Sequence, residues 1–166
     1  MIAAWLLACA GLPVATQAPP IEVVHQFAIQ ARGHTFAGMA AVRVDGDDYT
    51  LVAITPGGVE LFNVRGDAEG SVVTAPQQDL KDVLERLPLG RDLHLIYAWS
   101  CGSAPACEVA GGRIEEALGD DGWTRSWTGP GGPAVVTFQD GRATLDDPRR
   151  GYTLRIVGEE IRVPNP

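Results

Sequence analysis

A chain of 166 residues suits one domain with a single core. Its 13 basic against 21 acidic side chains, a net charge of -8, exclude a phosphate-tracking nucleic-acid binder, which needs a cationic excess to displace counterions. At 45% hydrophobic residues the chain is not a disordered one, and 20 Gly with 12 Pro favour strands and turns over a helical bundle.

In chain order, Ile2 to Cys9 reads IAAWLLAC, and Leu6-Leu7-Ala8-Cys9 resembles a bacterial lipobox, whose cysteine is acylated and becomes the first mature residue. The run is short for a signal peptide and the first basic side chain is Arg32, so the expectation is a truncated signal segment with its true start upstream. An ordinary apolar leader or first strand is the alternative. Secretion with cleavage after Ala18 would place Pro19 after the scissile bond, where signal peptidases tolerate it poorly. Residues 10–20 are small, polar and Pro-containing and read as a flexible tether, leaving 21–166 as one β-rich domain. No other stretch approaches the ~20 apolar residues of a membrane span.

Val23 to Gln30, His34 to Val44, Tyr49 to Ile54 and Val59 to Val64 read as four strands of an antiparallel meander, with turns at Gly33, Asp45 to Asp48 and Pro56-Gly57-Gly58. Both faces of the second to fourth strands carry apolar residues, so the expectation is a sheet covered on both sides or curled round an apolar interior. Small residues (Gly38, Ala40, Ala41, Ala53) on an inner face would leave room there. Thr74 to Gln77 has the spacing of a capping box, followed by Leu80, Val83, Leu84 and Leu87 on one helical face. Pro88 and Gly90 stop that helix. Arg91 to Ser100 reads as a second helix, apolar almost all round and therefore buried, with a short buried strand as the alternative. Beyond Gly111-Gly112, Arg113 to Leu118 is ambiguous. Gly122 to Thr128, Ala134 to Gln139, Arg142 to Leu145, Gly151 to Val157 and Ile161 to Val163 read as strands, with a hairpin at Asp140-Gly141.

With Cys9 assigned to lipid, Cys101 and Cys107 remain. Gly102 and Pro105 let their loop fold back, and export implies a compartment where a disulfide survives, so a disulfide is favoured. Zinc would need two further ligands, and His25, His34 and His94 show no matching spacing. A dyad of Cys101 with His94 on one helix would be separated by about 10 Å of rise. Each His is expected to be a surface or packed residue. The acidic pairs Asp120/Asp121 and Asp146/Asp147 and the cluster Asp45/Asp47/Asp48 fall in predicted turns, where solvated carboxylates are commoner than calcium ligands. No GxSxG, HExxH, Walker or EF-hand pattern occurs, so neither catalysis, a metal nor a cofactor is expected.

The lipobox, the tether, the run Asp47 to Phe62 with its Thr55-Pro56-Gly57-Gly58-Val59-Glu60-Leu61-Phe62 turn, the insert Arg91-Asp92-Leu93 ending near Trp99, and the closing Gly151 to Ile156 resemble a family of small uncharacterised lipoproteins of Gram-negative bacteria. Its members are often encoded beside aryl-polyene or fatty-acid-like biosynthesis enzymes. That family is similar to the outer-membrane lipoprotein receptor LolB and its periplasmic partner LolA. The resemblance implies an incomplete antiparallel β-barrel, mainly β with one or two closing helices, and no catalytic residue. The Cys101–Cys107 loop is not a feature associated with the family.

The expected function is a non-catalytic carrier or receptor that binds an acyl or polyene chain, or a lipoprotein's lipid, in an apolar interior. Phe27, Phe36, Met39, Leu51, Leu61, Ile96, Tyr97 and Trp99 are the candidate liners, although apolar residues at such regular spacing are more often plain core than ligand contacts. The rival is an assembly lipoprotein that holds an envelope protein partner by a sheet edge or by Trp123 and Trp127. Ala10 and Gly11 after the cysteine, with no Asp, imply sorting to the outer membrane, facing the periplasm.

Overall fold

The structure, a computed structural model, describes residues 11–67 and 69–158. The Cys9 motif and the Ile161 to Val163 run lie outside the described residues. The elements in order are β1 (Thr16–Gln17), β2 (Ile21–Ala31), β3 (His34–Asp45), β4 (Asp48–Ile54), β5 (Glu60–Gly66), β6 (Ser71–Thr74), α1 (Gln78–Leu84), α2 (Leu89–Tyr97), β7 (Trp99–Ser100), β8 (Ala106–Val109), β9 (Gly112–Leu118), β10 (Gly122–Thr128), β11 (Ala134–Gln139), β12 (Arg142–Asp147) and β13 (Tyr152–Val157).

Eleven strands form one antiparallel sheet in the order β6-β5-β4-β3-β2-β13-β12-β11-β10-β9-β8. It is two meanders joined side by side. β2 to β6 run outward one way, β8 to β13 run inward from the other edge, and β2 pairs with β13 where they meet, Ile156 opposite Phe27. The sheet does not close, because β6 and β8 are its two edges. Between those edges the chain crosses through α1, α2 and β7. Short turns hold the register. At Asp140-Gly141 both residues have positive φ, 51° and 70°, the twist that two-residue hairpins require.

One face of the sheet is buried. β2 alternates strictly, with Val23, His25, Phe27, Ile29 and Ala31 covered. Ala40, Val42 and Val44 of β3 continue that face, followed by Leu51 and Ala53 of β4 and Phe62 and Val64 of β5. The opposite face is largely exposed or half-buried, with Val24 62% exposed. Of the two expected arrangements, a sheet covered on both sides or one curled round an apolar interior, the double covering is thus corrected, because only one face is packed. Val24, Ala41 and Val52 are cross-strand neighbours on the open face, and Ala41 is not an inner residue. Gly38 leaves no room either. A Cβ there would lie 2.2 Å from the carbonyl oxygen of Ile54, so the glycine permits a close backbone approach.

Thr74 ends β6 and does not cap a helix; Gln77 occupies the N-cap position and makes no side-chain cap bond. α1 buries Leu80 and Leu84 on the face that the leucine spacing predicts. α2 starts at Leu89 and stops at Tyr97, so Trp99 and Ser100 belong to a strand pair, β7 with β1, and not to the helix. The segment read as a tether is bonded from Pro13 to Ala18 along β7 and β8.

Candidate functional site beneath the buried helix

The apolar face of the sheet holds α2, and the contacts of this nine-residue helix define the sheet's curvature. Gly90 lies against Tyr49 of β4, Tyr97 reaches His25 of β2, Arg91 reaches Asp147 of β12, and Arg125 of β10 reaches the Leu95 carbonyl. Strands β4 and β10 are six spacings apart, about 29 Å in a flat sheet. A helix is only about 10–12 Å across with its side chains, so the sheet is wrapped round it.

The helix presents Leu93, Leu95 and Ile96 to the core, none more than 2% exposed. Of the expected liners, Phe27, Leu51, Ile96, Tyr97 and Trp99 are all in this buried core, and Phe27 meets Phe62 edge-on at 5.8 Å between centroids. Phe36 and Leu61 are half-buried and packed against its margin. Met39 stands on the other side of the sheet, opposite Gln26 and Ile54, because it is one residue out of phase with inward-facing Ala40. Trp123 and Trp127 are each 2% exposed, so they are core residues and cannot form a surface patch for a partner.

The interior is more polar than the apolar spacing implies. At the start of α2, Arg91 donates to Asp92 (Nε to Oδ1, 2.7 Å), to Asp147 (3.3 Å) and to the Gly131 and Gly132 carbonyls. Arg150 adds a bond to Asp147 at 3.0 Å. Asp92 and Asp147 have no exposed surface. Burial pushes the Asp92 carboxyl up to about 6, although Arg91 pulls it the other way. The Tyr152 phenol lies against Asp92, and burial raises it as well, with the Asp92 charge adding to the effect. Asp147 corrects the expectation of a solvated turn carboxylate: it is the last inward position of β12.

Further along, Arg125 donates to Glu116 at 2.5 Å and to the Leu95 carbonyl at 2.7 Å, with its guanidinium 4.0 Å from the Trp123 ring centre. Burial lowers the Arg125 affinity for its proton and Glu116 opposes that. The bond to Leu95 also places a cation at the carbonyl end of α2, where the helix dipole favours it. His94 spans the Gly90 and Gly46 carbonyls at 2.7 and 2.9 Å and lies tilted against Trp99, and Trp99 stacks on Trp127 at 5.5 Å. His25 bonds the Tyr97 hydroxyl at 2.8 Å. His25 and His94 are therefore packed residues and His34 is exposed.

These polar groups hold the helix to the sheet and are not arranged as a nucleophile with its base. Cys101 and Cys107 are joined in a disulfide, Cα atoms 5.3 Å apart, so neither thiol faces His94. Among the described residues no group of three or more His, Cys, Asp or Glu is placed to hold a metal ion, and no helix is long and apolar enough to cross a membrane. Arg91 and Asp92 were visible only as part of the Arg91-Asp92-Leu93 run and Asp147 only as one of an acidic pair, while Glu116 and Arg125 were not singled out. The sequence signal for the strand residues is a charge at an inward, period-two position, as Arg125 is between Trp123 and Trp127.

No curated protein matches the chain. The profile of a family described as protein of unknown function (DUF3261) matches residues 22–160, which takes in both meanders and both helices and leaves out the bonded segment before β2. With most of its length matched, the chain belongs to the DUF3261 family.

Proposed function

We propose that this chain is a membrane-anchored, non-catalytic lipoprotein of the outer membrane, in which a LolA/LolB-like half-barrel binds an acyl or polyene chain or a lipoprotein's lipid. One observation carries the reading: an unclosed sheet wraps its apolar face round a single short helix, with Phe27, Leu51, Phe62, Leu93 and Ile96 meeting between them. That helix occupies the volume an apolar chain would take. Ligand entry therefore requires displacing it, and binding would draw on a state in which α2 has moved. Water exclusion, not directed chemistry, would supply the affinity.

Native mass spectrometry of protein extracted from membranes in mild detergent, with displacement of a fluorescent fatty acid, tests the reading. A co-purifying lipid and saturable displacement are expected, and absence of both overturns it. Cys9→Ala is expected to move the protein to the soluble fraction.

A second reading, an assembly lipoprotein holding an envelope protein, draws on the open sheet face. Val24, Val135 and Val157 are 62%, 41% and 41% exposed there. Recovery of one stoichiometric protein partner and no lipid would favour it.

A further inference from the structure

The segment before β2 is fastened to one edge of the sheet. Glu108 N–H donates to the Pro13 carbonyl and Ala15 N–H to the Glu108 carbonyl, both at 2.8 Å, which makes a parallel bridge from Val14 to edge strand β8. Thr16 and Gln17 then pair with Ser100 and Trp99, the Thr16 hydroxyl donates to the Ser100 carbonyl at 3.0 Å, and Ala18 N–H donates to the Ala98 carbonyl at 2.9 Å. β7 and β8, the two rails of this strap, are joined by the Cys101–Cys107 disulfide. The strap therefore belongs to the rigid body of the domain.

Only residues 10, 11 and 12 separate Cys9 from Pro13. Four Cα steps span at most about 14 Å, and the interfacial layer of one leaflet is about 5–8 Å deep. If Cys9 carries lipid, the first bonded residue of the strap stands at or just above the headgroups, and so does the hairpin bonded to it.

We infer that the β8–β9 hairpin, with Val14 beside it, is the surface of this protein that faces the bilayer. The inference rests on the lipid-anchor reading above. The hairpin turn, Val109-Ala110-Gly111-Gly112, has no bulky polar side chain and Val14 is 80% exposed, while exposed Glu108 bridged to Val14 and the Arg113–Glu115 ion pair at 2.9 Å make the surface weakly acidic, so the short reach from the anchor and not charge attraction sets the orientation. The buried face of the sheet is thereby fixed in orientation to the membrane, not free to tumble on a long tether.

The chain has a single lysine, Lys81, which makes amine labelling selective. Two conservative chains on a Lys81→Arg background carry the label at Arg113→Lys or at Arg155→Lys, and the background alone gives the blank. Arg155 lies on the open face of β13, five strand spacings from β8, about 24 Å along the sheet. Each full-length lipidated protein is reconstituted in phosphatidylethanolamine–phosphatidylglycerol vesicles with a nitroxide on the headgroup. Quenching at position 113 is expected to exceed that at position 155 by about twofold or more, given a reach of only about 14 Å from the anchor. Equal or reversed quenching, with vesicle association still lost in Cys9→Ala, overturns the orientation and leaves the anchor standing. Vesicle association that survives Cys9→Ala overturns the anchor and the inference with it.

Discussion

Asp92 has no exposed surface and faces Arg91, Asp147 and Tyr152. Desolvation outweighs the attraction of Arg91, so its folded value stands at about 6 against an ordinary 3.8. A carboxyl raised on folding adds stability that is complete below about 4 and is lost as pH rises through about 6. Asp92→Asn removes that dependence. Relative to the parent, the variant is expected to gain up to about 3 kcal/mol between pH 3 and pH 7.5, on top of a pH-independent cost of weakening the buried Arg91 contact. Urea unfolding at both pH values measures this, and parallel stability curves would rule it out. This residue was legible only as part of the Arg91-Asp92-Leu93 run. Which of several carboxylates becomes buried depends on where a helix N-terminus meets the end of β12, and that is a tertiary fact.

At the scale of elements, the strands from Val23 to Val64 and from Gly122 to Val157 were readable because alternation and Gly-containing turns act locally. β6, β8 and β1 were not. Each has only two to four residues and is a strand because a neighbour offers it backbone partners. The same reason explains Thr74: an intrinsic cap preference lost to pairing of that residue with Asn63. The disulfide belongs to this scale too, since it closes a loop with a sequence separation of 6 and binds β7 to β8. Chain-entropy reasoning assigns a loop this short about 2 kcal/mol. The double variant Cys101→Ser/Cys107→Ser is expected to lose about that much. Its amide exchange should accelerate first at Ala15, Ala18 and Glu108, while the amides of β2 stay protected. Uniform acceleration across the sheet would contradict the strap's dependence on the disulfide.

For the whole molecule, class and meander pattern could be read from the sequence, and the extent of the sheet could not. Apolar residues on both sides of β4 left open a double covering or a curled sheet, and Val52 and Ile54, half-buried on the open face, decide against the covering. Occupancy of the interior was equally hidden. Small inner residues promised space, and the backbone of Ile54 together with α2 takes it. The order in which such a sheet assembles follows from its seam. Every hairpin within a meander joins neighbours in sequence, whereas the β2–β13 pairing brings Phe27 to Ile156 and closes nearly the entire chain into a loop. Loop-closure entropy makes that contact the late one. Ile156→Val is therefore expected to speed unfolding severalfold while leaving the refolding rate almost unchanged, as stopped-flow denaturant jumps would record. An equal effect on refolding would place the seam in the nucleus. Two halves can thus form separately and join last, so the chain's newest contact as it folds is the one at the centre of its finished sheet.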